Sequence, residues 1–334
     1  MSARPRGCTR VVIGFALTAA LGCASRDAQP APPPPADGRA SLEALHEKYA
    51  ALEAHGWLRE PIYAYVDGDA IRAWRTRASG PALWILAGIH GEEPAGPNAV
   101  AASLASLVGL AESGVPIVVV PLCNPRGYRN GWRYPNTPER DWRKGGYSVG
   151  DAEYLLEDLA DSSRPRAAAA PGPETLALTQ FVLRTAEAYP PQLVLDLHED
   201  ELSTEGGYIY SQGVAADDNP VGAEIIRLLK SAGIPLRLSG ETRFGEPIAR
   251  GAISRDAEGN PIRDGSIDEL FAAREIFREG RKVAGPSAGT VIVVETPAFA
   301  GSQLALRVAA HAAVLRAVAA LWRINASVGA QGAR

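Results

Sequence analysis

A chain of 334 residues that is 46% hydrophobic and 22% charged has ample core for one large domain or two modest ones, which excludes a stapled mini-protein, a coiled coil and a disordered tail. Its 34 basic and 38 acidic residues leave a formal charge of −4 with no Lys/Arg cluster beyond the extreme N-terminus, so no nucleic acid partner is expected. Three cysteines, Cys8, Cys23 and Cys123, are too few for a disulfide framework.

Arg4, Arg6 and Arg10 precede the apolar run Val11–Leu21, which is short for a permanent span but suits a secretory signal. The run ends Ala20-Leu21-Gly22-Cys23 and resembles the lipobox of bacterial lipoproteins, whose cysteine is acylated and becomes the first mature residue. That resemblance implies a signal peptide over 1–22 and lipidation of Cys23. A Pro/Ala-rich tether over 23–39 would follow, since this composition builds no core. The expected location is the cell envelope, periplasm-facing or on the outer membrane, with the membrane as partner through the lipid anchor only. No later segment is long and apolar enough to span. Loss of residues 1–22 removes three arginines and no acid, which takes the net charge to −7. Cys123 then remains as a lone thiol beside an apolar strand, a core filler.

The catalytic domain is expected over 40–326, with a tail over 327–334. Leu42, Leu45, Tyr49 and Leu52 repeat at helical spacing behind Ser41 as N-cap. Short strands are predicted at 63–66 and 71–77, a buried strand at 83–89, a helix at 94–110 and another buried strand at 115–122. The stretch 124–172 is rich in Gly, Pro, Arg and Trp and has little periodicity. A helix at 173–188, strands at 192–197 and 207–211, and a helix at 221–232 follow. The stretch 240–288 is again irregular, before a strand at 290–294 and one closing helix at 302–324. Continuous apolar strands separated by helices predict an α/β fold, with a largely parallel sheet covered on both faces. The two irregular stretches are of a length that usually carries function.

Two histidines stand at strand ends. The strand at 83–89 runs into His90-Gly91-Glu92-Glu93-Pro94, where an imidazole and a carboxylate three residues apart share a turn. The strand at 192–197 ends in Asp196-Leu197-His198, and residues two apart on a strand face the same side, so Asp196 can orient His198. Zinc with an open coordination position takes three such N/O ligands. His198 with Glu201 forms a rival spacing, but Glu199-Asp200-Glu201 reads as a solvated acidic run. Glu295 ends the strand at 290–294, in the same topological position as both histidines.

His90-Gly-Glu-Glu93-Pro-Ala-Gly resembles the zinc signature of the M14 metallocarboxypeptidases and their succinylglutamate desuccinylase/aspartoacylase relatives. In the same order as that family come Asn124-Pro-Arg-Gly127, Arg140-Asp-Trp-Arg143-Lys144, Pro173-Glu174-Thr175, Asp196-Leu-His198 and Val293-Val-Glu295-Thr296-Pro297. The resemblance implies a three-layer α/β/α sandwich around a mixed, largely parallel sheet. It implies one Zn²⁺ per chain on His90, Glu93 and His198, with Glu295 as general base and acid and Arg143 stabilising the oxyanion. Arg133 and Arg140 could then pair with a substrate carboxylate, for which their planar forks are suited. The implied activity is zinc-dependent hydrolysis of amide bonds in peptides or peptidoglycan-type stem peptides. The alternatives are a deacylase of N-acyl amino acids and a non-catalytic envelope-binding protein.

The chain lacks the family's Asn-Arg pair after the arginine segment, which grips a terminal carboxylate. Gly265-Ser266-Ile267-Asp268 resembles the loop shaping the pocket beyond the scissile bond, where Ile267 suggests an apolar or mixed pocket. Trp132, Tyr134 and Trp142 are candidates to line the cleft or to pack their loop. Tyr208 and Tyr210 share a strand face and could contact substrate, but read first as aromatic core. His311 lies on the apolar stripe of the closing helix, and His46 and His55 lie on and beyond the first helix.

Overall fold

Uninterrupted apolar runs need cover on both sides, and the centre of this protein is built from four of them. The computed structural model describes residues 35–200, 205–213, 218–298 and 303–332. The expected signal, Cys23 and most of the tether lie outside those residues, as does Glu201. In chain order the elements are α1 (Leu42–Ala54), β1 (Leu58–Ala64), β2 (Ala70–Arg75), β3 (Ala82–Ala87), α2 (Ala95–Ala102), α3 (Leu104–Glu112) and β4 (Ile117–Val120). Next come α4 (Pro125–Asn130), α5 (Pro173–Ala186), β5 (Pro191–Asp200), β6 (Tyr208–Gly213), α6 (Pro220–Ser231), β7 (Ser239–Glu241), β8 (Pro247–Ala249) and β9 (Ala252–Ile253). The chain continues through α7 (Ile267–Ala272), β10 (Glu275–Arg278), β11 (Arg281–Ala284), β12 (Thr290–Pro297), α8 (Leu304–Arg316) and α9 (Val318–Gly332).

Ten strands form one mixed sheet in the order β1-β2-β4-β3-β5-β12-β6-β9-β8-β7, and β10–β11 is a separate hairpin. Strands β4, β3, β5 and β12 are mutually parallel at the centre, while β2 and β6 flank them antiparallel. Alternation along each strand divides the core. Leu193, Leu195 and Leu197 of β5 join Ile292 and Val294 against the layer built from α1, α2, α3, α6, α8 and α9. Val194 and Val291 face the opposite layer with Trp84, where Phe181 of α5 and Phe271 of α7 pack. The result is the three-layer α/β/α sandwich with a mixed sheet that is parallel at its centre.

Ser41 caps α1 by accepting from Ala44 N, and Leu42, Leu45, Tyr49 and Leu52 are its buried face. The helix predicted over 94–110 breaks at Ser103, whose φ of −122° leaves the helical region. The single closing helix is two, bent by 52° after Arg316; α8 packs chiefly on α2, and both helices pack on α3 and α6. Among the described residues no single helix is long and apolar enough to cross a membrane; that bent pair passes by length and composition, but it is a packed core element. The stretch 240–288 is less irregular than its composition suggests, since it holds β7–β9, α7 and the β10–β11 hairpin. The tether assignment also ends too late. Arg39 is half-buried, its side chain only 7% exposed, and donates from Nη1 to the carbonyls of Gly91 (3.0 Å) and Tyr128 (2.7 Å). Cys123 is buried and free, with its thiol pushed up by burial.

Candidate metal centre

The first ligand turn is held by contacts that only glycine permits. At Gly88, φ is +65°, and a Cβ would lie 2.9 Å from both Leu122 Cδ1 and Pro97 Cγ. At Gly91 a Cβ would lie 2.1 Å from the backbone carbon of Gly127, so the turn sits directly on α4. Asn124 locks the other side of this contact. Its Oδ1 accepts from Gly127 N at 2.8 Å as the α4 N-cap, and its Nδ2 donates to Arg133 O at 3.0 Å. Gly91 N donates to the same Arg133 carbonyl at 3.3 Å. The Asn-Pro-x-Gly turn thus fixes Arg133 against the His90 turn. Thr175 does similar work across the cleft by donating to Ser148 O at 2.9 Å.

His90, Glu93 and His198 converge. Their ligand atoms lie within 4.8 Å of one another. His90 Nδ1 faces Glu93 Oε1 at 2.7 Å and His198 Nδ1 faces Glu93 Oε2 at 2.9 Å. His198 Nε2 lies 3.2 Å from Asp196 Oδ2, so Asp196 orients the ring from behind. Two imidazole nitrogens and one carboxylate, with a cavity in front of them, form a donor set that fits zinc with an open position. Parallel pairing sets Glu295 beside His198, and antiparallel pairing sets Tyr208 on its other side. Strand β5 lies between β3 and β12, so both histidines and Glu295 stand at carboxyl ends of adjacent central strands.

The electrostatics follow from this packing. Burial pushes Glu295 up to about 8, with Glu93 and Asp200 adding to the rise and His198 opposing it. Burial, assisted by Arg133, pushes His90 down to about 4. Burial opposes a charge on His198, yet Asp196 and Glu93 hold it well above the usual range. Glu93 stays well below the carboxylate range despite its burial, because His90 and His198 flank it. Glu92 is pushed up to about 7 by burial and by Glu93, with Arg133 pulling it back.

A cavity of about 700 Å³ opens in front of these groups. Arg133 and Arg140 both line it. Arg133 Nη1 donates to Glu92 Oε1 at 3.0 Å and to Glu93 Oε1 at 3.2 Å, which places it beside the metal ligands. Arg143 does not come to the cavity. It sits on a one-turn 3₁₀ segment with its side chain 73% exposed and bonds back to Asp141 at 2.8 Å, because Asp141 caps that turn. The oxyanion role expected of Arg143 therefore has no support in its position. Trp132, Tyr134 and Trp142 are not cavity residues, and Trp142 is largely exposed.

One reading of residue environment is corrected. Glu199 is buried, not solvated: it accepts from Ala95 N at 2.7 Å at the start of α2 and pairs with Arg307 of α8. Tyr208 and Tyr210 do pack in an aromatic and aliphatic cluster with Ile248, Ile253 and Ile262, and they also line the cavity, donating to Asp200 (2.7 Å) and Glu246 (2.9 Å) respectively. Sequence reasoning passed over Arg237, Arg243, Asp151, Asp264 and Gln212, which also line it. The length of the two irregular stretches was the only local signal for most of them. His311 is a core histidine, 3.0 Å from Thr296 Oγ1.

No protein-family model and no curated protein matches the sequence. Among solved structures, a candidate metallopeptidase of Shewanella baltica OS155 is similar at a TM-score of 0.63 and 21% identity, covering 85% of this chain and 97% of that one. A candidate metallopeptidase of Shewanella denitrificans OS217 gives 0.61 at 20% identity, over 84% and 90%. Carboxypeptidase A of Helicoverpa armigera gives 0.57 at 16% identity, over 87% and 74%. At these identities the likeness shows the fold, which is the carboxypeptidase-like α/β fold.

Proposed function

We propose that this protein is a zinc-dependent hydrolase of amide bonds that acts on peptides or peptidoglycan-type stem peptides. The observation that carries the reading is the convergence of His90, Glu93 and His198 with Glu295 one strand away, at the carboxyl ends of a carboxypeptidase-like sheet. Zinc bound to the three ligands would polarise the scissile carbonyl and acidify water.

The chain's own residues supply the rest. Glu295 faces the cavity from a site where both its protonated and ionised forms are accessible near neutrality, so it can take a proton from water and return it to the leaving nitrogen. Arg133 presents a fixed cation beside the ligands, suited to developing negative charge or to a substrate carboxylate. Arg140 on the same wall extends that positive edge. The proposed setting is the cell envelope, reached through the N-terminal signal and a lipid on Cys23; the succession of charge, apolar run, small residue and cysteine supports it.

The test uses zinc-loaded protein with peptides, stem-peptide fragments and N-acyl amino acids. Glu295→Gln is expected to retain zinc and fold while losing ~10²–10⁴ of the rate. Full activity in that variant overturns the mechanism, and exclusive cleavage of N-acyl amino acids moves the reading to a deacylase. Failure to take up zinc at neutral pH favours a binding protein.

A further inference from the structure

The turn that carries His90 and Glu93 does little to hold itself. Its own backbone supplies one long hydrogen bond, from Glu93 N to His90 O at 3.3 Å, so its shape answers to what packs on it. Part of that packing comes from residues 37–40, ahead of α1. On one flank of Glu93, Arg39 Nη1 donates to Gly91 O at 3.0 Å and to Tyr128 O at 2.7 Å. Gly91 is buried, and no other donor reaches its carbonyl among the described residues. The same guanidinium lies 4.9 Å from the centroid of the Tyr128 ring and donates from Nε and Nη2 to Asp37 at 2.9 and 2.6 Å. Its planar fork is therefore fixed from three sides.

The other flank is held through Asn98 of α2. Its Nδ2 donates to Pro94 O at 2.7 Å and to the Tyr128 hydroxyl at 2.8 Å, while its Oδ1 accepts from Ala40 N at 3.1 Å. The Tyr128 hydroxyl donates in turn to Ala40 O at 2.8 Å. Residues 39 and 40 thus grip the backbone on both sides of Glu93, at Gly91 directly and at Pro94 through Asn98. Arg39, Asn98 and Tyr128 do not line the catalytic cavity. Their contribution is to the aim of the ligands and not to contact with substrate.

We propose that Arg39 is a positioning residue for the metal site: docking of residues 37–40 on the ligand turn and zinc binding at His90 and Glu93 stabilise each other. This rests on the reading of His90, Glu93 and His198 as zinc ligands. Undocking Arg39 leaves the Gly91 carbonyl buried without a donor and loosens the backbone between the two ligands. By linkage the effect runs both ways, so an ion that fixes His90 and Glu93 also fixes the carbonyl that Arg39 requires.

Three measurements on the full chain test each direction: zinc release to a chelator, the absorption bands of the cobalt(II)-loaded protein, and urea unfolding of the zinc-free protein. Arg39→Met is expected to release zinc about tenfold faster and to shift the cobalt bands, the scale of losing a group that orients a ligand. Arg39→Lys, which keeps the charge but not the fork, should recover part of both. Tyr128→Phe, which removes the hydroxyl between Asn98 and Ala40, should move zinc release the same way even if Arg39→Met does not fold. A loss confined to the zinc-free unfolding midpoint, with wild-type zinc release and cobalt bands, makes Arg39 a structural residue only and overturns the proposal. The reverse direction needs no variant. The Arg39 side chain is 7% exposed, so trypsin cuts the Arg39–Ala40 bond only once that side chain has left its site. Cleavage there is expected to be several-fold slower in the zinc-loaded chain than in the zinc-free one, and equal rates overturn the coupling. Zinc release that depends on Arg39 without hydrolysis of any amide keeps the positioning role and removes the hydrolase. Hydrolysis with zinc release indifferent to Arg39 does the reverse, and a chain that takes up neither zinc nor cobalt removes both.

Discussion

Arg133 and Arg143 lie in the same loop-rich stretch and carry the same charge, yet their surroundings assign them different work. Arg133 is held by Glu92 and Glu93 at the edge of the ligand cluster, whereas Arg143 pairs with Asp141 in solvent. Arg133→Met is therefore expected to lower kcat/KM by ~10²–10³, the scale of losing one positioned donor to developing charge. Arg143→Met should stay within a few-fold of wild type in rate and close to it in stability, because solvent screens an exposed ion pair. Steady-state kinetics on the two variants side by side checks both statements; a larger loss for Arg143→Met would return the oxyanion role to it. The residue types of this stretch were legible in the sequence, but their aim was not. Without periodicity, side-chain direction is set by partners such as Asp141 or Glu92, and only the fold brings Glu92 within reach.

At the scale of elements, the ligand turn and α4 behave as one unit, since Asn124 caps the helix and also holds the carbonyl of Arg133. Asn124→Ala is expected to cost about 1–2 kcal/mol in urea unfolding, the worth of a cap and a buried hydrogen bond. Its kcat/KM should fall by more than any unfolded fraction explains, because Arg133 loses its anchor. Gly91→Ala is expected to weaken zinc affinity as well, because its Cβ would collide with backbone rather than with a flexible side chain; a zinc titration of the folded variant reads this out. The buried strands, the capped first helix and the strand-end histidines could be read locally, from apolar runs and spacing. The bend between α8 and α9 could not, because it answers to packing partners far away in the chain: α8 lies chiefly on α2, and both helices share α3 and α6.

For the whole molecule, the layer behind the sheet contributes a pH dependence of its own. His311 on α8 is fully buried against Thr296 of β12, and burial pushes it down to about 3. The unfolded chain takes up this proton near 6.5 and the folded chain does not, so the unfolded state binds more protons between those values. The stability contributed by neutral His311 is therefore complete above pH ~6.5 and declines as pH falls towards 3, by at most ~1.4 kcal/mol per unit. Melting temperatures at pH 7, 6, 5 and 4 should fall less steeply in His311→Gln than in wild type; parallel curves would assign the acid sensitivity to other groups.

The sequence by itself determined what depends on neighbours along the chain. Apolar runs such as Ala82–Ala87 require burial on both faces, alternation along β5 puts Asp196 and His198 on one side, and both candidate histidines stand at the carboxyl end of a strand. Tertiary structure alone decided what depends on residues a hundred or more positions apart. It made Glu199 a buried partner of Arg307, and it placed Arg133 rather than Arg143 beside the ligand cluster. The reason is physical: strand formation answers to local sterics and burial, whereas the charge state and aim of a side chain answer to whatever the fold packs against it.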